Sequence, residues 1–150
     1  MTIDKLIENG QVKIGEISEI SDLNSLKSII QDFSQEKNND LSLLIATHQG
    51  TSILKFKGSL DTNTAQDIET CINTLLEQGI KKLIADLELL DYISSAGLRV
   101  LLATTKIIKG KQGEFRICNP NPEVKEVFDI SGFSMIFSVF NNLEEAMANF

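Results

Sequence analysis

Leu83-Ile84-Ala85-Asp86-Leu87, followed by Leu89-Leu90-Asp91-Tyr92-Ile93-Ser94-Ser95-Ala96-Gly97-Leu98-Arg99-Val100-Leu101-Leu102, decides how this chain folds. The first part, about Lys82 to Leu87, is apolar at every inner position except Asp86, the pattern of a central strand covered on both faces. After the Ser-Ser-Ala-Gly turn, Leu98, Leu101, Leu102, Thr105 and Ile108 recur at helical spacing up to about Gly110. Two hydroxyls therefore stand where a strand hands over to a helix. Backbone N–H groups at a helix start lack intrahelical acceptors and favour negative charge. A serine there is either a cap or a place where phosphate is written and read.

Upstream, Leu41 to Thr47 and Thr51 to Lys57 read as two strands joined at His48-Gln49-Gly50, a hairpin. Gly58-Ser59-Leu60-Asp61-Thr62-Asn63-Thr64 is rich in side chains that cap helices. Ala65, Ile68, Ile72, Leu75 and Leu76 then recur at helical spacing. Downstream, Glu114 to Cys118 is a strand and Asn119-Pro120-Asn121-Pro122 a turn, with Pro122 suited to a first helical position. Val124, Val127, Phe128 and Ile130 fill a short helix ended by Gly132, and Phe128, Ile130 and Phe133 read as core. Met135 to Phe140 is the last strand, and Asn141-Asn142 caps a terminal helix.

Strand–helix–strand repeats favour right-handed crossovers between parallel strands. The order predicts an α/β fold: a mixed sheet of about five strands, opened by an antiparallel hairpin, with helices packed against it. Residues 41–150 form this unit. Residues 1–40 read as an N-terminal extension. In it Val12, Ile14, Ile17 and Ile20 partly alternate, and Asp22 can cap an amphipathic helix carrying Leu23, Leu26, Ile29, Ile30 and Phe33. That helix can cover the main domain, pair with another subunit or dock on a partner. The polar run Gln35 to Asp40 reads as a linker.

Composition removes several functions. The chain has 150 residues and a net charge of −7, which disfavours a nucleic-acid groove and a polybasic membrane anchor and suits a protein partner with a basic patch. No apolar run approaches the roughly 20 residues that span a bilayer, so no membrane insertion is expected. No leader pattern stands at the start, and a cytoplasmic, reduced protein is expected. Cys71 and Cys118 lack metal-ligand spacing and read as small apolar groups, so neither metal nor cofactor is expected. The single histidine, His48, falls on the hairpin, which leaves no visible nucleophile–base pair for an enzyme.

Three blocks of residues 41–150 resemble the STAS domain, in particular the bacterial anti-sigma factor antagonists. Gly58-Ser59-Leu60-Asp61, with Thr64-Ala65 behind it, is similar to that family's G-E-L-D-x-x-T-A turn. Asp91 to Leu98 is similar to its phosphorylation loop, and Val127-Phe128-Asp129-Ile130-Ser131-Gly132-Phe133 to its closing block. Aligned on Gly97 and Leu98, the resemblance puts the phosphoacceptor on Ser95. Ser94 stands where the family has aspartate, Ala96 takes the second hydroxyl position, and Ser59 replaces a glutamate.

The resemblance implies a regulatory binding module rather than an enzyme. Its partners would be an anti-sigma factor serine kinase of the GHKL type, bound in the unphosphorylated form, and a PP2C-type phosphatase. Asp61 would lie beside the loop, Thr64 would cap the following helix, and Gly97 would permit close helix–strand packing. Leu98 would face either a partner or the core. Phosphate adds about −1.5 to −2 charges, which a helix start tolerates and a docked surface does not. A loss of about 4 kcal/mol on binding is roughly 1,000-fold in affinity. The alternative is a STAS subunit of a lipid-transport or other multiprotein assembly that is never phosphorylated.

Overall fold

The structure is a computed structural model and describes residues 3–33 and 39–150. Of the predicted linker, residues 35–38 lie outside the described residues. The chain runs β1 (Lys5–Glu8), β2 (Val12–Ile17), α1 (Ser25–Phe33), β3 (Leu41–His48), β4 (Thr51–Leu60), α2 (Ala65–Glu77) and β5 (Lys82–Ile93). It continues through α3 (Ser95–Gly110), β6 (Glu114–Cys118), α4 (Pro122–Ser131), a 3-10 turn (Phe133–Met135), β7 (Ser138–Phe140) and α5 (Leu143–Met147).

All described strands join one seven-stranded sheet whose spatial order is the chain order, β1 to β7. The sheet is therefore larger than the five strands read from the sequence. β1 and β2, from the segment before residue 40, pair antiparallel with each other, and β2 runs parallel to β3. The partly alternating pattern from Val12 falls on β2, which is buried on both faces, while β1, an exposed edge strand, carries no apolar alternation and was not expected.

One reversal organises the layers. β3 and β4 are antiparallel, whereas the pairs β2/β3, β4/β5, β5/β6 and β6/β7 are parallel. The sheet always steps in the same lateral direction. A right-handed crossover made before the reversal must then lie on the opposite face from those made after it. Accordingly α1 packs on one face through Leu26, Ile30 and Phe33, joined there by Leu143 and Ala146 of α5. The other face carries α2, α3 and α4 through Ile68, Ile72, Leu101, Ile108, Val124 and Phe128. The reversal itself is a two-residue turn with Gln49 at φ 52° and Gly50 at φ 82°, the left-handed pair whose twist suits a tight hairpin.

β5 is longer than the Lys82–Leu87 segment predicted. Lys55 pairs with Asp86 but Lys57 with Leu89, and Gly58 pairs with Leu90 but Ser59 with Tyr92. Each step inserts one extra residue into β5, a β-bulge, and each bulge shifts the side-chain alternation by one. Leu83, Ala85 and Leu87 face the helices α2–α4, as do Leu90 and Ile93 beyond the two bulges. The period of two is lost, yet the strand continues to the edge of the Ser94 turn.

Two further expectations are corrected. The last strand is Ser138–Phe140, because Phe133–Met135 closes a 3-10 turn after Gly132 terminates α4 at φ 81°. Ile130 is 79% exposed and not core, whereas Phe128 is fully buried and Phe133 half-buried. Ile130 lies two residues beyond Phe128, on the helix face turned away from the sheet.

Candidate functional site

The site is built at the end of the sheet where β4 and β5 deliver their chains to α2 and α3. Leu60 pairs with Ile93, so the Ser59–Thr64 turn lies directly beside the Ser94–Leu98 turn. The Ser94 N–H donates to the Leu60 carbonyl at 2.9 Å and locks the two turns together. Ser94 is the N-cap of α3: its backbone is extended, and its Oγ accepts from the Gly97 N–H at 3.3 Å. The cap role and the serine next to it are thereby separated. Ser95 is the first helical residue and is exposed.

Gly97 is required by close approach. A Cβ there would meet the Leu60 carbonyl oxygen at 2.6 Å and Ile93 Cγ1 at 2.8 Å. Leu98 is only 7% exposed and belongs to the core shared with α2, so the core alternative holds for it. Its packing fixes the rotation of α3 and with it the outward direction of Ser95.

On the facing turn, Thr64 occupies the N-cap position of α2, but its side chain does not cap the helix as predicted. Its Oγ1 turns back, donating to the Ser59 carbonyl and accepting from the Asp61 N–H, both at 2.9 Å. Thr64 is a clamp within the turn, and it is fully buried. Asp61 supplies part of the capping instead. Its Oδ1 accepts from the Asn63 N–H at 2.9 Å, and its carbonyl accepts from the Ala65 N–H at 2.8 Å. Among the described residues no hydrogen bond joins Asp61 to Ser94 or Ser95.

Two neighbours of the turn were not read from the sequence as part of the site. Tyr92 is 55% exposed beside the serine turn, because the second bulge of β5 turns it and Asp91 outward. Asn121 caps α4 by accepting from the Val124 N–H at 2.8 Å and donates through Nδ2 to the Leu90 carbonyl at 2.7 Å. The Asn-Pro pair at 121–122 marks a helix start but gives no sign of the second bond.

His48 stays on the hairpin, half-buried, with Nδ1 2.7 Å from the Ile20 carbonyl, so its proton is held by backbone. Burial pushes the Cys71 thiol up to about 11 and raises that of Cys118 further. Among the described residues no three or more His, Cys, Asp or Glu side chains gather as a metal site, and no helix is long and apolar enough to cross a membrane.

Comparison with known proteins places the fold in a family. The STAS domain profile matches residues 42–146. BtrV of Bordetella bronchiseptica, provisionally named an anti-sigma factor antagonist, is 42% identical over 101 residues, covering 67% of this chain and 87% of BtrV. The crystal structure of an anti-sigma factor antagonist from Mycobacterium paratuberculosis superposes with a TM-score of 0.67 at 25% identity, covering 71% of this chain and 91% of that one. The anti-sigma factor antagonist SpoIIAA, solved in its unphosphorylated form, superposes with a TM-score of 0.61 at 25% identity, over 69% of this chain and 90% of SpoIIAA. The chain belongs to the STAS domain family, within its anti-sigma factor antagonist group.

Proposed function

We propose that this protein is a phosphorylation-switched anti-sigma factor antagonist. Unphosphorylated, it binds an anti-sigma factor serine kinase of the GHKL type and releases that kinase's client. The kinase then transfers phosphate from Mg-ATP to Ser95, and a PP2C-type phosphatase restores the hydroxyl. The nucleotide and magnesium belong to the kinase. The protein contributes an acceptor and a docking surface, not a catalytic group.

The observation that carries this reading is the division of labour between adjacent serines. Ser94 holds the helix start, and Ser95, at the first helical position, is exposed and leaves its hydroxyl outside the hydrogen bonds that build the turn. A phosphate on Ser95 meets the positive end of α3, so the domain keeps its fold. A partner packed on the same turn has to desolvate a dianion, at a cost of several kcal/mol. Leu60, Gly97 and Leu98 keep the turn rigid, so the charge is presented in one place. SpoIIAA was solved in a form specified as unphosphorylated, so phosphorylation is a feature of that protein, which supports the reading here.

The test is to incubate the purified protein with each GHKL-type kinase of its source organism and Mg-ATP, and to map the product by mass spectrometry. Phosphate on Ser95, with Ser95→Asp losing kinase binding about 100-fold or more, is the expected result. Phosphate elsewhere, or undiminished binding by Ser95→Asp, overturns the switch.

A further inference from the structure

The tip of the β1–β2 hairpin stands at the same end of the sheet as Ser95. Val12 pairs with Leu41, Leu41 with Gly58 and Gly58 with Leu90, so one row across the sheet runs from the hairpin to the serine turn. Backbone and side-chain bonds continue the row. Asp40 and Leu41 donate to the Gln11 carbonyl, Ser59 donates to the Asp40 carbonyl, and Ser94 donates to the Leu60 carbonyl, all within 2.9–3.0 Å. Asn39 Nδ2 donates to the Asn9 carbonyl at 2.9 Å. Asn9 Nδ2 donates to Asp67 Oδ2 in the first turn of α2, also at 2.9 Å. Gly58 admits this closeness, since at φ 112° an added Cβ would lie 2.2 Å from the Asp40 carbonyl oxygen.

β2 and β5 are three strand spacings apart, about 14 Å. A standard protein interface covers about 800 Å² per partner, a patch roughly 30 Å across. A partner centred on Ser95 therefore reaches the hairpin tip. The rim between them carries Glu8, Asp40, Asp61, Asp67 and Asp91, each exposed or half-buried, which outnumber Lys13, Lys57 and Arg99. Behind Asn9 and Asp67 a groove of about 250 Å³ opens between the hairpin and α2, floored by Ile7, Val12, Ile14 and Leu75. It exists because the sheet extends past α2, the outermost of the three helices on that face.

We infer that Asn9–Gln11, the first turn of α2 and the Ser95 turn form one docking face, on which the kinase partner seats basic groups along the rim and an apolar side chain in the groove. This rests on the function proposed above and assigns the segment before residue 42 a place in partner choice. The STAS profile begins only at residue 42.

Two glycines allow a clean test. A Cβ on Gly10, at the hairpin tip, or on Gly110, at the far end of α3, meets nothing within 4 Å, and neither residue has left-handed φ. Gly10→Arg and Gly110→Arg therefore add the same charge and bulk without disturbing the fold, which thermal unfolding verifies. Each variant, with Ser95→Asp alongside, is titrated calorimetrically against the purified kinase that phosphorylates the wild type. Gly10→Arg should weaken binding fivefold or more, while Gly110→Arg stays within twofold. Gly10→Glu should weaken it less than Gly10→Arg, since the opposing surface is basic. If Gly10→Arg loses less than fivefold while Ser95→Asp loses binding, the hairpin is outside the face and this inference fails alone. Equal losses for Gly10→Arg and Gly10→Glu would overturn the basic partner surface. If Ser95→Asp binds like wild type, the function proposed above fails with it.

Discussion

Lys55 Nζ lies 3.1 Å from Asp86 Oδ2 between neighbouring strands, with both side chains almost wholly buried. Asp86 Oδ1 also accepts from Asn119 Nδ2 at 3.2 Å and from the Glu88 N–H at 3.1 Å, the latter spanning the first bulge of β5. Glu88 in turn lies 3.3 Å from Lys27 of α1. Asp86, the one buried charged residue of β5, is thus the hub of a network that ties the N-terminal segment to the strand leading into Ser94. Removing one partner of a buried pair leaves an uncompensated charge and costs about 3–5 kcal/mol, while replacing both by apolar groups is often neutral. Lys55→Ala should lose that much in urea unfolding, and Lys55→Met with Asp86→Leu should recover most of it. A double variant no more stable than Lys55→Ala would show that the two charges do not act as a pair.

Gly97→Ala places a methyl group against the Leu60 backbone, which cannot rotate away as a flexible side chain would. Overpacking of this kind costs about 1–3 kcal/mol. The loss should appear in chemical denaturation and be accompanied by slower phosphorylation, because relief of the clash moves α3 away from the facing turn. Unchanged stability would mean that the two turns have room to separate.

The two serines should divide stability from signalling. Ser94→Ala removes an N-cap and should cost about 1 kcal/mol. Ser95→Ala should stay within about 0.5 kcal/mol, as an exposed substitution without partners does. Phosphate incorporation should show the reverse order: absent in Ser95→Ala, retained in Ser94→Ala. If Ser95→Ala unfolds as readily as Ser94→Ala, the hydroxyl at 95 has a structural role.

Only the thiolate attacks an alkylating agent, and burial holds Cys71 protonated up to about 11. At pH 8 the folded protein should therefore react with iodoacetamide far more slowly than the protein in denaturant, for Cys71 and for Cys118. Folded-state labelling of Cys71 should still be rising through about pH 9–10, a range in which a free cysteine is already ionised. Rapid labelling at neutral pH, read by intact mass, would contradict that burial.

The mixed sheet, the hairpin and the helix starts were legible because each rests on a local signal. Gln49-Gly50 makes the tight turn, Ser94 and Asn142 cap, Pro122 opens its helix, and Ile68, Ile72, Leu101 and Ile108 keep helical spacing. What escaped depends on partners distant in the chain. Among the described residues β1 pairs with β2 and no other strand, and β2 becomes an inner strand only once β3 is in place. The end of β5 was hidden because two bulges break its alternation. Ile130 followed the helical period of Val127, but α4 buries a narrower stripe than that period allows. That two serines stand at the start of α3 was legible by position, but which of them caps was not. That Thr64 turns back to Ser59 and that Asp61 bonds Asn63 rather than either serine are facts of side-chain rotation, which spacing does not carry.

The sheet's spatial order has a consequence for how the molecule is made. Each strand's neighbours are its neighbours in sequence, so each parallel pair closes over a single crossover, as Leu60 with Ile93 and Arg116 with Ser138 do. In chain order each strand follows the one it docks against, from the hairpin side outward. The serine turn falls between the fifth strand and the last two, so a chain cut after α3 would keep the whole row of strands that braces it.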